Sequence, residues 1–330
     1  MQQIKHKETP PFVSFVIPTR NEEKMIGPCL GAIRGLNYDA RLYDVIVVDN
    51  GSIDGTVEVA RQSGTKIIET SNATISTLRN IGAREAKGGF LAFIDADCVL
   101  DKYWLGKALL HFADPVVACV GSYTTIPEGS SWVQRAWASQ NKNNKFVEEV
   151  DWLPSRSILV EARAFEAVRG FNETLITCED VDFCYRLKKS NYKIISDHGL
   201  KSVHLGEART LSDFFRKERW RGRSNFRGIF SHGFYLEEIP SLLLPVFYLI
   251  AILAVPILYI YSFVRGAYVP VAVDFGCVIT PALLLALRRT IRTREFGWLG
   301  HLIVLYLVSL LARATAMLPI EHGDGHRENC

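Results

Sequence analysis

The chain has 330 residues, of which 48% are hydrophobic, enough for one large or two modest domains around a sizeable core. A formal net charge of +3 is too small to indicate a nucleic-acid partner. The seven cysteines include no CxxC pair, which argues against a zinc site and for reduced thiols in a cytosolic setting.

Taken in order, the N-terminal MQQIKHKETPPF has no apolar run of signal-peptide length, so the first domain is expected on the cytoplasmic side, where it is made. FVSFVIPTR then reads as a short strand closed by Pro18, and EEKMIGPCLGAIRGL carries apolar residues at helical spacing. YDVIVVDNGSIDGTVEVARQSG repeats the theme: a continuous apolar strand, a polar glycine-rich turn, and an amphipathic helix closed by Gly64. TKIIET and GGFLAFIDAD supply further strands, with ISTLRNIGAREAKG as the helix between them. This alternation predicts an α/β domain with a mostly parallel sheet covered on both faces. Ligands of such sheets bind beyond the carboxyl ends of the strands, which is where PTRNEE, DNGSIDGT and DAD fall. The less regular stretch from Asp114 to Asp151 is read as the floor of an acceptor site.

Two acids stand directly behind the apolar run of GGFLAFIDADCVL. In extended backbone, Asp95 and Asp97 are expected to project to the same side. Two close carboxylates cannot bind an anion directly, but they can hold a hard cation. The alternative is a pair of solvated loop acids.

The composition changes near residue 236. Pro240 to Val264 has no charged residue and is long enough to span a bilayer. Ala267 to Leu287 carries one acid, Asp274, and Trp298 to Ile320 carries His301 and Arg313. The last two are read as further spans, the alternative being two buried helices of a soluble domain. Basic residues cluster between Arg209 and Arg227 and again at Arg288, Arg289, Arg292 and Arg294, so both stretches are expected to face the cytoplasm. Three spans, about 240–264, 267–287 and 298–320, would leave the catalytic domain inside and the acidic tail EHGDGHRENC outside. Phe214, Phe215, Trp220, Phe226, Ile229 and Phe230 interleave with the first basic cluster, as in an amphipathic helix at an anionic membrane surface.

FVIPTRNEE, VIVVDNGSIDGT, LRNIGAREAKGGFLAFIDADC and CEDVDFCYRLKKSNYKI, in this order over Phe12 to His204, resemble the successive blocks of glycosyltransferase family 2. The resemblance implies a GT-A fold over residues 1–208, followed by a basic interfacial helix region over 209–235 and an all-α transmembrane region of three helices over 236–330. It implies an inverting transfer from a nucleotide-diphosphate sugar, with a UDP-sugar the first expectation, and a divalent metal, Mn²⁺ or Mg²⁺, at Asp95 and Asp97. The expected acceptor is a lipid-linked or membrane-presented saccharide in glycan or exopolysaccharide assembly at the inner membrane, with membrane lipid as a partner and no nucleic acid. A polyprenyl-phosphate acceptor and a non-catalytic sugar-nucleotide-binding scaffold are the alternatives.

Residue by residue, the resemblance places Pro18, Thr19, Arg20 and Glu22 around the nucleotide and Asp49 and Ser52 at its base or ribose. Arg79 is turned towards the diphosphate, and Asp95 and Ala96 line the donor. Asn50 stands where many relatives carry a second acid. A base is needed to take the proton of the attacking hydroxyl. Asp180 is expected in that role, with Glu179 positioning the acceptor or orienting Asp180, and Asp182 facing a neighbouring cation. His204 is the expected third metal ligand. RKERWRGRSN resembles the Gln-x-x-Arg-Trp block of processive synthases, with Arg216 in place of Gln, and Arg219 and Trp220 are expected to touch diphosphate or acceptor.

Overall fold

The computed structural model of the chain describes residues 10–139, 146–222 and 239–318. The extreme N-terminus, the apolar residues Phe226, Ile229 and Phe230, and the acidic tail lie outside the described residues.

The first half follows the expected alternation. Strand β1 (Val13–Thr19) is buried along its whole length and leads into α1 (Glu23–Arg34), whose Ile26, Cys29, Leu30 and Ile33 form one buried stripe at helical spacing. Next come β2 (Tyr43–Asn50), α2 (Thr56–Gln62), β3 (Lys66–Thr70) and α3 (Ile75–Arg84). The side chain of Thr74 caps α3 by accepting from the Thr77 backbone N–H at 3.2 Å. Strand β4 (Phe90–Ile94) is followed by β5 (Cys98–Leu100) and α4 (Trp104–Leu110).

The second half departs from simple alternation. It contains β6 (Val117–Gly121), α5 (Trp132–Ala138), β7 (Val147–Glu149), β8 (Ser157–Glu161), α6 (Ala162–Ala167), α7 (Glu179–Lys189), β9 (Lys193–Asp197) and β10 (Ser202–His204). The eight-stranded sheet has the order β3-β2-β1-β4-β8-β6-β9-β7, and β10 pairs separately with β5. Strands β3, β2, β1 and β4 are mutually parallel, whereas β8 runs antiparallel to both β4 and β6. Much of the Asp114 to Asp151 stretch is therefore not a site floor: β6 lies inside the sheet, and α5, held by a Ser131/Gln134 capping box, packs on the C-terminal helices. Apolar side chains close both faces of the sheet, with Phe15, Ile17, Trp104 and Leu159 on one and Phe93, Phe165, Phe171 and Phe183 on the other.

Helix α8 (Leu211–Arg221) follows, and after residue 238 come α9 (Ile239–Arg265), α10 (Val269–Thr293) and α11 (Leu299–Thr315). These three helices after the catalytic domain are each long and apolar enough to cross a membrane. A left-handed Gly266 turns α9 into α10.

Candidate active site

Parallel pairing sets the ends of β1, β2 and β4 side by side, with Thr19 in register with Asp49, so the loops after them open at one edge of the sheet. The first two loops are laced together. The Asn21 backbone N–H donates to Ser52 Oγ at 2.8 Å, and the Asn21 side chain accepts from the Ile53 N–H at 2.9 Å. The Glu22 N–H donates to Thr56 Oγ1 at 2.7 Å. Asp49 is buried and accepts from the backbone N–H and hydroxyl of Ser52 at 2.9 and 2.5 Å, while Asp54 accepts from the Thr56 N–H at 3.1 Å just ahead of α2. Asn50 donates to the carbonyl and accepts from the N–H of Ala73, each at 3.0 Å, so the amide there is bonded through both its nitrogen and its oxygen. Pro18 and Thr19 end β1 inside the core, and the Thr19 hydroxyl is buried with no partner among the described residues. Arg20 is half-exposed at the mouth of the loop.

Asp95 and Asp97 reach this edge by a different geometry from the one expected. The chain stops being extended at Ile94, and the Cys98 N–H donates to the Asp95 carbonyl at 2.9 Å, so Asp95, Ala96 and Asp97 form a turn between β4 and β5. Strand alternation does not apply there, and the two acids take different partners. Asp95 accepts from Arg79 at 2.9 Å, and Asp97 faces His204 Nε2 at 2.9 Å.

Arg79, only 3% exposed, bridges two motifs. One terminal nitrogen donates to Asp95, the other to Glu179 at 2.8 Å, and the guanidinium lies over the Phe171 ring at 5.3 Å. Glu179 and Asp180 open α7, which carries three acids in its first turn and three basic residues in its last, an arrangement favourable to the helix dipole. The residue before them, Cys178, has a left-handed φ of 65°, a strained conformation for a side chain with Cβ. Burial, reinforced by the adjacent Glu179, pushes the Asp180 carboxyl up to about 7. Asp182 faces inward to Arg186 at 2.6 Å, the cation expected for it.

Around Asp97 the structure assembles a charged centre that is only partly legible in sequence. His204 closes β10, and its Nδ1 donates to Glu207 at 3.0 Å. Arg156 donates to the same Glu207 oxygen at 3.0 Å. Lys217 of α8 donates to the Gly206 carbonyl. Although burial works against both charges, the contact with Asp97 raises the His204 pKa, and His204 holds the Asp97 carboxyl below its usual value. Glu22 is pushed up to about 8, by burial first and then by Asp97. Arg156, Glu207, Gly206 and Lys217 escape a reading by motif. Gly206 and Glu207 leave one trace in sequence, the glycine-acid pair directly after His204. Arg156 leaves none: it arrives because β8 runs antiparallel to β4 and sets Ser157 beside Ile94. Arg219 and Trp220 are half-buried on α8, and the side chain of that helix that reaches the carboxylate centre is Lys217.

The residues at this centre fit a divalent cation. One ligand atom each from Asp97, Cys98 and His204 lie within 4.8 Å of one another. Burial raises the pKa of the Cys98 thiol, which leaves the Asp97 carboxylate and the His204 imidazole as the stronger candidate donors for a divalent ion. A Cβ on Gly206 would stand 2.0 Å from Asp97 Oδ2, so glycine keeps the space around that carboxylate open.

Comparison with known proteins agrees with this architecture. Residues 14–165 match the family described as Glycosyl transferase family 2. Glycosyltransferase AglE of Haloferax volcanii is 31% identical over 219 residues, covering 64% of this chain and 71% of the relative. Pre-mycofactocin glycosyltransferase of Mycobacterium tuberculosis is 30% identical over 195 residues, 55% of this chain but only 40% of that protein. Among solved structures, mannosyltransferase PcManGT from Pyrobaculum calidifontis, in complex with GDP-Man and Mn²⁺, superposes with a TM-score of 0.58 at 17% identity over 92% of this chain and 88% of its own. That likeness shows the GT-A fold. With the blocks in order, their acids gathered at one sheet edge and a relative matched over most of its length, the chain belongs to glycosyltransferase family 2.

Proposed function

We propose that this protein is a membrane-anchored, inverting glycosyltransferase that moves a sugar from a nucleotide-diphosphate sugar to a hydroxyl of a lipid-linked acceptor. One observation carries the reading: the Arg79 guanidinium joins Asp95 of the β4–β5 turn to Glu179, which precedes Asp180, so the donor and acceptor sides of a transferase site meet across 2.8 and 2.9 Å contacts. The donor class is supported by PcManGT, solved with GDP-Man and Mn²⁺, and by GalNAc-T7, solved with UDP, GalNAc and Mn²⁺. A UDP-sugar is the first donor to test. The acceptor class is supported by the apolar helices that follow the domain.

In this reading the loops after β1 and β2 hold the nucleoside, with Asp49 fixed by Ser52. A divalent ion, held by Asp97 and His204 with Asp95 nearby, would neutralise the diphosphate and ease its departure when bound. Asp180 takes the proton of the acceptor hydroxyl as its oxygen attacks the anomeric carbon. The new C–O bond forms on the face opposite the breaking bond to the diphosphate, the configuration inverts, and the nucleoside diphosphate leaves. A base titrating near 7 is matched to that task at neutral pH.

The test is nucleotide release from UDP- and GDP-sugars by the purified chain in lipid nanodiscs, with a Mn²⁺ titration. Asp180→Asn should keep donor binding and lose turnover by a factor of ~10²–10⁴. Undiminished turnover removes Asp180 from the role of base. Donor binding without turnover across lipid-linked acceptors would favour the scaffold.

A further inference from the structure

Helix α11 has the length and composition of a membrane span, yet protein buries 28% of its most apolar stretch, against 17% and 11% for α9 and α10. One face of it, at four-residue spacing, lies against the catalytic domain from end to end. The Trp298 ring sits under the Arg135 guanidinium at 5.8 Å, and the His301 ring lies 5.2 Å from Trp132, both partners on α5. Leu305 is buried with Val133, Ala136, Ala208 and Phe214, and Tyr306 meets Trp137 at 5.8 Å. Further along, Ser309 donates to Glu218 Oε2 at 2.6 Å, and Arg313 donates to the same oxygen at 2.8 and 3.0 Å. At the far end, a Cβ on Gly222 would come within 3.1 Å of both Arg313 and Ala316. From His301 to Ala316 this is about 22 Å of helix axis in contact with α5 and α8.

Helix α8 cannot follow α11 into hydrocarbon. It exposes Arg216, 71% accessible, and is tied to the catalytic body where Lys217 donates to the Gly206 carbonyl and Thr177 donates to the Arg221 carbonyl at 3.4 Å. A charged side chain at the bilayer centre costs several kcal/mol, so a helix cased along one side by α8 lies outside that layer. The apolar surface has the same pattern. Helices α9 and α10 expose large side chains throughout, with Ile257 at 69%, Phe263 at 72% and Phe275 at 66%, whereas on α11 Val304, at 40%, is the one exposed large hydrophobic among the described residues. The opposite face of α11 packs Leu310 and Ala314 against Tyr248 of α9 and Ala282 of α10.

We infer that α11 does not cross the membrane: it is a strut between the catalytic domain and a two-helix anchor, and the lipid-facing surface is the α9–α10 hairpin alone. This departs from the three-span expectation and rests on the membrane-anchored reading given above. The chain enters the bilayer once through α9, returns through α10 to the side marked by Arg288, Arg289, Arg292 and Arg294, and keeps everything after Thr315 on the catalytic side. The strut also ties the hairpin to α8, whose Lys217 belongs to the carboxylate centre, so the depth of the anchor sets the position of the site relative to the lipid headgroups.

The test places alkaline phosphatase, active only outside the cytoplasm, and green fluorescent protein, fluorescent when fused on the cytoplasmic side, after Gly266 and after Cys330 of the full chain expressed in bacteria. The expected result is phosphatase activity at Gly266 and fluorescence without phosphatase activity at Cys330. Phosphatase activity at Cys330 overturns the strut and restores three spans. Fluorescence at both positions overturns the crossing hairpin, and recovery of that protein in the soluble fraction sinks the membrane-anchored reading separately.

Discussion

Replacing Glu207 by Gln isolates the support behind the candidate metal centre. Glu207 Oε1 accepts from His204 Nδ1 and from Arg156, each at 3.0 Å, and the two cations hold its carboxyl well below the usual range against the effect of burial. Gln keeps the shape and removes the charge, so two charge-assisted hydrogen bonds become neutral-acceptor bonds at best. Hydrogen bonds to charged groups contribute roughly 1.5–3 kcal/mol and neutral ones about 1, so the bond to the imidazole should lose about 1 kcal/mol and the bond to Arg156 a like amount. If the imidazole's share appears in cation binding, affinity falls about fivefold. The assay is Mn²⁺ titration followed by electron paramagnetic resonance of the free ion, with thermal unfolding in chelator as a control. Equal Mn²⁺ affinity in wild type and Glu207→Gln would refute the orienting role, and absence of Mn²⁺ binding by wild type would refute the metal centre itself.

Turnover should fall as pH drops through about 7, where Asp180 takes up a proton and ceases to be a base, and a profile flat from pH 5 to 9 would exclude it. The stability effect runs the opposite way: the folded state holds that proton more tightly than the unfolded chain, so wild-type stability declines as pH rises from about 4 to about 7, and Asp180→Asn should flatten that decline in a melting series. Gly206→Ala forces Asp97 aside from a 2.0 Å clash and should abolish Mn²⁺ binding while leaving the far-ultraviolet circular dichroism spectrum unchanged; wild-type affinity would show that the carboxylate is not confined there. Glu218→Gln leaves the partly exposed Arg313 and Arg221 facing a neutral group and should cost about 1–3 kcal/mol in denaturant unfolding. Cys178→Gly relieves a left-handed φ and should leave stability equal or higher, so a large loss would mean that the thiol itself packs or bonds.

Much of the fold was legible because its first half obeys local rules. The apolar run Val45–Val48 and the helix pattern of Ile26, Cys29, Leu30 and Ile33 can form only one kind of structure each in a covered parallel sheet. The loops beyond β1, β2 and β4 could be placed at one edge from that alternation alone. The turn at Asp95–Asp97 was misread because an alternating pattern gives no sign of where extended backbone stops; the hydrogen bond from the Cys98 N–H to the Asp95 carbonyl decides it. The Asp114 to Asp151 stretch was misread because β6 is short and pairs with β8 and β9, far along the chain.

What the sequence by itself determined is the order of strands and helices, the acids at the strand ends and the apolar lengths of the last three helices, all set by residue type at short spacing. Only the tertiary structure decided that Arg79 joins Asp95 to Glu179, that Arg156 and Glu207 stand behind His204, and that one face of α11 packs on α5 and α8. Except for His204 and Glu207, three residues apart, those contacts join residues from 16 to more than a hundred positions apart, brought together by an antiparallel strand and a returning helix. Hydropathy does not distinguish a span from a helix packed on protein, because an apolar face is stabilised alike by lipid and by the buried side of another helix.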